Sequence, residues 1–219
     1  MSLLEVSNLK KTYDNKRYVL NDLNFSIERG EIATILGSSG CGKSTFLNIM
    51  GMLDAPTDGK YIFEGTEIKR NNLNLYNKIR AKDIGFIFQS YCLIEYLTVE
   101  ENVLMPFFYN GLEITDSVYK EMDILLKKLK LDKTRNKRVS LLSGGEKQRV
   151  AIVRAMIKKP KLIIADEPTG NLDDINAISV IDAFCDIVKK GTSIIVVTHN
   201  KYLSFGSGNK YELKEGKLV

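Results

Sequence analysis

The chain has 219 residues, of which 44% are hydrophobic and 27% are charged, and its formal net charge is +5 at pH 7. This composition excludes an intrinsically disordered chain, and the length suits one α/β domain or two small ones. The longest apolar stretches, such as residues 103–109, are much shorter than the roughly 20 residues of a bilayer-spanning helix. We therefore expect a chain that does not cross a membrane by itself and carries no signal peptide.

Histidine and cysteine, which commonly bind transition-metal ions, are scarce. The only histidine is His199, which excludes a multi-histidine metal site and with it metalloproteases and most metallohydrolases. The three cysteines, Cys41, Cys92 and Cys185, are isolated in the sequence. This pattern indicates reduced thiols rather than disulfides or a zinc site.

The positive charge is concentrated in one segment. Residues 120–161 contain 14 Lys and Arg against 4 Asp and Glu. Two interpretations stay open at this point. The segment forms a solvated helical surface in a lysine-rich protein, or it lies near anionic lipid or nucleic acid.

Short β-branched segments predict buried parallel strands at residues 31–36, 84–88, 162–165 and 193–197. Each segment is apolar on both faces, which is typical of strands that helices cover on both sides of a sheet. Near the end of the chain, residues 210–213 and 217–219 flank the turn Glu215-Gly216 and predict a closing hairpin.

The stretches between these segments are predicted to be helical. In the long segment 89–159, the apolar residues Val118, Met122, Leu125 and Leu129 recur at helical spacing and form one stripe. No repeat, low-complexity tract or proline-rich linker divides the chain. The sequence therefore predicts one α/β domain with an all-helical insertion in a mostly parallel sheet.

A glycine-rich octapeptide follows the first of these strands. Residues 37–44 read Gly-Ser-Ser-Gly-Cys-Gly-Lys-Ser and fit G-x-x-x-x-G-K-[ST], and the helical stretch 45–53 comes directly after them. In such a loop the backbone N–H groups point at a phosphate chain, Lys43 adds a positive charge at the β- and γ-phosphates, and the Ser44 hydroxyl binds Mg²⁺. This pattern predicts nucleotide binding and leaves kinase, GTPase and ATPase activity open. The predicted phosphate-binding residues are Gly37, Ser38, Ser39, Gly40, Cys41, Gly42, Lys43, Ser44 and Thr45.

Two adjacent carboxylates follow the third of these strands. Ligands of open α/β sheets bind beyond the carboxyl ends of the parallel strands, so Asp166 and Glu167 are expected beside the phosphates. We expect Asp166 to hold Mg²⁺ through water and Glu167 to orient or deprotonate the attacking water. A water-activating glutamate favours hydrolysis over transfer of the phosphoryl group to a substrate.

A second turn with anion-binding chemistry precedes that strand. Residues 142–146 read Leu-Ser-Gly-Gly-Glu and contain a capping box, with Ser143 as N-cap and Glu146 at the third helical position. We expect the helix to run toward Lys159 and to stop at Pro160. Because a helix start with two glycines and a serine also favours anions, a structural role and a binding role are both predicted here.

With these motifs in this order, the whole chain resembles the nucleotide-binding domain of ATP-binding cassette (ABC) transporters. In that family the signature L-S-G-G-Q, here residues 142–146, contacts ATP that the phosphate loop of a second subunit holds. The resemblance implies that ATP and Mg²⁺ are sandwiched between two copies, with Ser143, Gly144, Gly145 and Glu146 at the partner's ATP. Glu146 stands where glutamine is commoner, and both side chains satisfy the capping role, so we expect function to be retained.

The resemblance assigns further residues one by one. Gln89 matches the Q-loop, which links Mg²⁺ and the γ-phosphate to the membrane partner, and Asp173 matches the D-loop at the dimer interface. His199 matches the histidine that holds the γ-phosphate, and Tyr13 stands where an aromatic ring stacks on adenine, with Tyr18 as the alternative. The implied catalytic residues are Glu167, His199 and Gln89, and the implied Mg²⁺ ligands are Ser44, Gln89 and Asp166.

The resemblance also implies a division of the chain. It predicts a single ABC ATPase domain over residues 1–219, with a RecA-like P-loop NTPase core at about 1–89 and 160–219. The core would contain a mostly parallel sheet and an N-terminal antiparallel β part. The helical subdomain would occupy about residues 90–159.

Residues 84–91, 97–103 and 165–173 resemble the lipoprotein-release and macrolide-exporter subfamily in particular. The resemblance implies an ATP-hydrolysing homodimer at the cytoplasmic face of the cell membrane. It would drive a separate permease in export, extraction or resistance to peptides, lipoproteins or antibiotics, and no nucleic acid is expected as a partner.

Two other functions fit part of the sequence. A soluble ABC ATPase acting on nucleic acid or ribosomes would suit the basic segment, but such proteins usually carry a second cassette or long coiled-coil insertions. The 219 residues have room for neither. A P-loop kinase or GTPase would not need the signature, the paired carboxylates and His199 together.

Overall fold

A computed structural model describes residues 2–14, 16–199 and 208–219, which form two β-sheets with helices packed against the larger one. The strands are β1 (Ser2–Thr12), β2 (Tyr18–Glu28), β3 (Ile32–Leu36), β4 (Asp58–Phe63), β5 (Thr66–Glu67), β6 (Ile84–Ile87), β7 (Leu162–Asp166), β8 (Ser193–Val197), β9 (Asn209–Lys214) and β10 (Lys217–Leu218). The helices are α1 (Lys43–Met50), α2 (Leu73–Asp83), α3 (Val99–Tyr109), α4 (Asp116–Lys128), α5 (Gly144–Met156) and α6 (Asp174–Lys189).

The larger sheet positions the candidate site. Its strand order is β10-β9-β3-β8-β7-β6, and all neighbouring strands from β9 to β6 are parallel. Only β10 runs antiparallel, to β9, which confirms the predicted closing hairpin. Strands β3, β6, β7 and β8 confirm the predicted segments, and every residue of β8 is buried. Their carboxyl ends lie along one edge of the sheet.

The smaller sheet has the order β2-β1-β4-β5 with antiparallel pairing throughout, which confirms the antiparallel N-terminal part. Its apolar side packs with α1 on the central sheet in one hydrophobic cluster, which includes Phe25, Phe46 and Val197. A second cluster joins α3, α4, α5 and α6 to the sheet through residues such as Val103 and Phe184. The central sheet is thus covered on both faces, as its apolar strands require.

Two helix boundaries differ from the sequence prediction. Helix α1 begins at Lys43 and ends at Met50, where the prediction placed a helix at 45–53. Helix α5 ends at Met156 and does not extend to Lys159, whose φ angle is +53°. Lys159 precedes Pro160, and the proline ring disfavours helical backbone at the preceding residue. In the described part of the chain, no helix combines the length and the apolar character needed to cross a bilayer.

Within the described part of the chain, five of the fourteen basic residues in segment 120–161 form ion pairs. Lys128 pairs with Asp186, and Arg135 pairs with both Glu100 and Asp123. Further pairs are Lys147–Glu95, Lys159–Glu121 and Lys161 with Glu64 and Asp83. This internal compensation favours the solvated helical surface over an anionic partner.

Close packing of β6 on α5 gives a prediction about stability. A Cβ atom at Gly85 would lie 2.5 Å from the backbone oxygen of Ala155, so Gly85→Ala must push strand and helix apart. We expect the free energy of unfolding to fall by about 1–3 kcal/mol in a urea titration. Gly170→Ala is the matched control, because its Cβ would meet nothing closer than 3.6 Å. Equal urea midpoints for the two variants would contradict this packing.

Candidate active site

A cavity of about 840 Å³ opens beyond the carboxyl ends of the parallel strands. The segments after β3, β6, β7 and β8 all contribute to it, so residues far apart in the sequence meet there. Twelve lining residues belong to the predicted site, and Val19 was not predicted. The lining is Val19, Gly37, Ser38, Ser39, Gly40, Gly42, Lys43, Ser44, Thr45, Gln89, Asp166, Glu167 and His199.

The phosphate loop has the geometry of an anion site. Helix α1 has no capping side chain and no acidic residue in its first turn, and Gly42 at its N-cap has a φ angle of 104°. The first N–H groups of α1 therefore keep their hydrogen-bonding capacity for a ligand. The Lys43 ammonium donates to the backbone oxygens of Gly37 and Ser38 at 2.7 and 2.6 Å, which holds its charge over the loop. Cys41 alone of the predicted loop residues does not line the cavity; it packs against the core.

Glu167 is held by a set of donors from the end of β8. The Thr198 hydroxyl donates to its Oε2 at 2.8 Å, and the His199 N–H donates to its Oε1 at 2.7 Å. The His199 ring also lies close, with Nδ1 2.7 Å from the same Oε1. Glu167 is only 8% exposed and has a φ angle of +47°, so its orientation is fixed by both backbone and hydrogen bonds.

The Mg²⁺ ligands predicted from the sequence share the cavity. Ser44, Gln89 and Asp166 would offer a hydroxyl, an amide oxygen and a carboxylate, and hard oxygen ligands of this kind suit Mg²⁺. Burial raises the pKa of Asp166, and the charge of Glu167 raises it further. A cation bound here would favour the ionised carboxylate.

The signature turn lies outside this cavity. It forms the predicted capping box, with Ser143 as N-cap of α5 and Glu146 accepting from the Ser143 backbone N–H at 2.8 Å. Ser143 and Gly144 are exposed. Asp173 caps α6 and accepts from the Asn176 N–H at 2.8 Å. The structure therefore gives these residues a capping role within the chain and leaves the turn facing solvent.

Neither tyrosine considered for adenine lines the cavity. Tyr13 is 64% exposed, its hydroxyl donates to Asp54 Oδ2 at 3.0 Å, and the Lys11 ammonium lies 4.7 Å from its ring centre. Tyr18 is 50% exposed at the start of β2. Val19, the next residue of that strand, lines the cavity instead.

Contacts between the Gln89 loop and α5 could not be predicted from the sequence. Arg154 donates to the backbone oxygens of Tyr91 and Cys92, and both of these residues have positive φ angles. The Tyr91 hydroxyl accepts from the Asn171 side chain at 3.0 Å. No local pattern marks such links, because they join three distant segments. Thr198 is the exception: its position between β8 and His199 was a sequence signal for a residue near the site.

Known proteins share this arrangement of motifs. The family model described as ABC transporter matches residues 20–170. The chain is 41% identical to the lipoprotein-releasing system ATP-binding protein LolD of Aquifex aeolicus, over 99% of this chain and 96% of that protein. It is 36% identical to the macrolide export ATP-binding/permease protein MacB of Mannheimia succiniciproducens, over 100% of this chain but only 34% of that longer protein.

Solved structures agree with these sequence relatives. A dimeric ATP-binding cassette in a post-hydrolysis state, bound to ADP and Pi, superimposes with a TM-score of 0.89 and 34% identity. The superposition covers 98% of this chain and 96% of that one. The motifs, the fold and relatives along the full length thus agree: the chain belongs to the ABC transporter family, as one of its ATP-binding and ATP-hydrolysing cassettes.

Proposed function

We propose that the chain hydrolyses ATP in a head-to-tail homodimer, in which each ATP·Mg²⁺ lies between the phosphate loop of one copy and the signature turn of the other. The observation that carries this proposal is the separation of the two anion-binding turns. Ser143 and Gly144 are exposed and line no part of the cavity around Lys43. A nucleotide in that cavity would therefore meet a signature turn only from a second chain.

Exposed apolar residues support the same interface. Leu141, just before the signature turn, is 75% exposed, and Ile175, just after Asp173, is 68% exposed. Both residues lie beside motifs of the proposed dimer contact, where apolar side chains suit the core of a protein–protein interface. We place both residues, with Asp173, at the surface that the second copy covers.

Within each site the loop residues would bind the phosphates, and Lys43 would neutralise the charge of the γ-phosphate. Ser44, Asp166 and Gln89 would hold Mg²⁺, which supplies charge neutralisation at the β- and γ-phosphates. Gln89 is exposed and lies beside the loop that Arg154 fixes, so its position depends on α5.

Glu167 would orient the attacking water and accept its proton. Its Oε1 and Oε2 each accept hydrogen bonds from the segment after β8, so the carboxylate can turn little. His199 is 77% exposed at its side chain and reaches from Glu167 toward the cavity, where its ring would contact the γ-phosphate. The two residues would act as one unit, with the histidine fixing the phosphate and the glutamate fixing the water.

We further propose a membrane permease as the partner of the homodimer, at the cytoplasmic face of the membrane, in work of the kind that the names of the LolD and MacB relatives describe. A groove of about 740 Å³ between α2, α3, α4 and the end of α5 supports a protein partner. Phe107 and Leu112 line it, and Phe108 and Tyr109 beside it are 62% and 81% exposed. We assign the helices from residue 90 to 159 to the subdomain that carries most of this groove.

Co-purification tests the permease. The tagged chain, extracted from its own cells in mild detergent, is expected to retain an integral membrane protein. Phe108→Glu and Tyr109→Glu together should remove that protein from the eluate while ATP hydrolysis by the isolated chain persists. Retention of the membrane protein by this double variant would contradict the groove as the docking surface.

Concentration dependence tests the homodimer. Because each site would need two chains, the specific rate of phosphate release should rise with protein concentration and level off once the dimer is complete. Sedimentation velocity with ATP and Mg²⁺ should show the dimer over the same range. A specific rate that stays constant from dilute monomer to dimer would contradict the composite site.

Adenine stacking gives a further prediction. Tyr13→Ala removes the ring that we place against adenine. Because the stacking energy is lost, we expect the ATP dissociation constant to rise about tenfold. Tyr13→Phe keeps the ring and is expected to bind as the parent does. Tyr18→Ala is the control for the neighbouring strand, measured by fluorescence titration with a labelled ATP analogue. A larger effect at Tyr18 than at Tyr13 would reassign the adenine contact.

A further inference from the structure

Two capping boxes of nearly identical geometry begin α3 and α5. In α3, the backbone N–H and the hydroxyl of Thr98 both donate to Glu101 Oε2 at 2.8 Å, and the Glu101 N–H donates to Thr98 Oγ1 at 3.2 Å. In α5, Ser143 makes the same two bonds to Glu146 Oε2 at 2.8 Å, and the Glu146 N–H donates to Ser143 Oγ at 3.3 Å. Only the second box lies in the turn that we place at the partner's ATP.

In this geometry the Ser143 hydroxyl is already used as a hydrogen-bond donor to Glu146. A serine hydroxyl has one proton, and here that proton is donated to Glu146 Oε2. A γ-phosphate oxygen has no proton to give at neutral pH and needs a donor. To bind it, Ser143 must release Glu146, or the phosphate must rely on backbone N–H groups alone.

The acceptor in this bond is a carboxylate. Hydrogen bonds from the Ser143 backbone and hydroxyl lower the pKa of Glu146, and the nearby charges of Arg149 and Lys137 lower it further. A hydrogen bond to an ionised acceptor is about twice as strong as one to a neutral amide oxygen. Glutamine at this position would fill the same capping role with a weaker hold on the hydroxyl and with no negative charge.

We propose that Glu146 is a positioning residue that restrains ATP-dependent dimerisation, because it retains the Ser143 hydroxyl proton and repels the γ-phosphate of the partner's ATP. This inference rests on the proposed homodimer. Glu146 thus holds the signature turn in a form that favours the open, separated chains. Closure on ATP has to redirect the hydrogen bond of the Ser143 hydroxyl from the Glu146 carboxylate to the phosphate, while the proton stays on the Ser143 oxygen.

The test is the dimer dissociation constant of Glu146→Gln, measured by sedimentation equilibrium at saturating ATP and Mg²⁺. All variants carry Glu167→Gln so that hydrolysis does not remove the ligand. Each dimer contains two such turns, so a gain of about threefold at each site lowers the dissociation constant about tenfold. In the hydrolysing enzyme, the protein concentration at half-maximal rate should fall by a similar factor.

Glu101→Gln is the matched control, because it makes the same chemical change in the same local geometry on α3. Both variants weaken a capping bond and should lower the thermal midpoint of the nucleotide-free chain slightly and equally. Only Glu146→Gln should tighten the dimer. A purely structural role for Glu146 predicts no tightening, so the direction of the change separates the two roles.

A double-mutant cycle tests the hydroxyl itself. In the Ser143→Ala background no side-chain proton remains, so Glu146→Gln should tighten the dimer by about threefold or less. If Glu146→Gln still tightened the dimer about tenfold in the Ser143→Ala background, the role of the hydroxyl proton would be overturned. Equal or weaker dimerisation of Glu146→Gln relative to its parent would overturn the restraint while leaving the homodimer in place. Failure of every variant to dimerise with ATP would overturn both this inference and the proposed homodimer.

Discussion

Glu167→Gln is expected to bind ATP as the parent chain does, while its rate of hydrolysis falls by about 10²-fold or more, the usual scale for losing a general base. Glutamine keeps the size of the side chain and an oxygen that can accept from Thr198. It cannot accept a proton from the attacking water. The ATP-bound dimer should therefore persist, visible as a stable dimer peak in size-exclusion chromatography with ATP and Mg²⁺.

The control for this variant is Glu113→Gln, at an exposed carboxylate that does not line the cavity. Its rate of phosphate release should equal that of the parent. A separate titration with a labelled ATP analogue establishes that Glu167→Gln still binds nucleotide. A rate of hydrolysis near that of the parent would show that another group activates the water.

Lys43→Ala is expected to raise the ATP dissociation constant by at least about 100-fold, because it removes a charge-assisted donor to the phosphates. The structure holds this ammonium over the phosphate loop through the backbone oxygens of Gly37 and Ser38. Removing it also leaves those two oxygens without this donor. Isothermal titration with ATP and Mg²⁺ measures the affinity, and thermal unfolding without nucleotide reports the effect on the fold.

Lys60→Ala serves as the control, since Lys60 is an exposed lysine on β4 that pairs with Glu67 at 3.7 Å. It loses one positive charge, as Lys43→Ala does, but at a residue that does not line the cavity. Its ATP affinity should match that of the parent. Unchanged affinity in Lys43→Ala would refute the phosphate role of this residue.

Strands β3, β6, β7 and β8 were predictable because they are short, β-branched and apolar on both faces. The segment 193–197 matches β8 residue for residue. Helix ends were less predictable, because they depend on single backbone conformations. Gly42 starts α1 through a left-handed φ angle, and Lys159 leaves the helical region before Pro160.

Much of the candidate site could also be predicted, because its residues fall in contiguous motifs at strand ends. The cavity gathers residues from the phosphate loop, Gln89, the paired carboxylates and His199. What the motifs could not predict is how distant segments hold one another. Thr198 donates to Glu167 across 31 residues of sequence, and Arg154 donates to Tyr91 in the loop after Gln89 across 63 residues. Both contacts exist only once the sheet has formed.

Mixing two inactive variants tests the central claim, the composite site, most directly. Lys43→Ala disables the phosphate loop and Ser143→Arg disables the signature turn, so each variant alone should release almost no phosphate. In a mixed dimer, the intact loop of one chain faces the intact signature of the other. An equal mixture should therefore recover up to about a quarter of the parent rate, since half of the random dimers are mixed and each has one working site. No recovery, in a mixture shown to contain mixed dimers, would contradict a site shared between two chains.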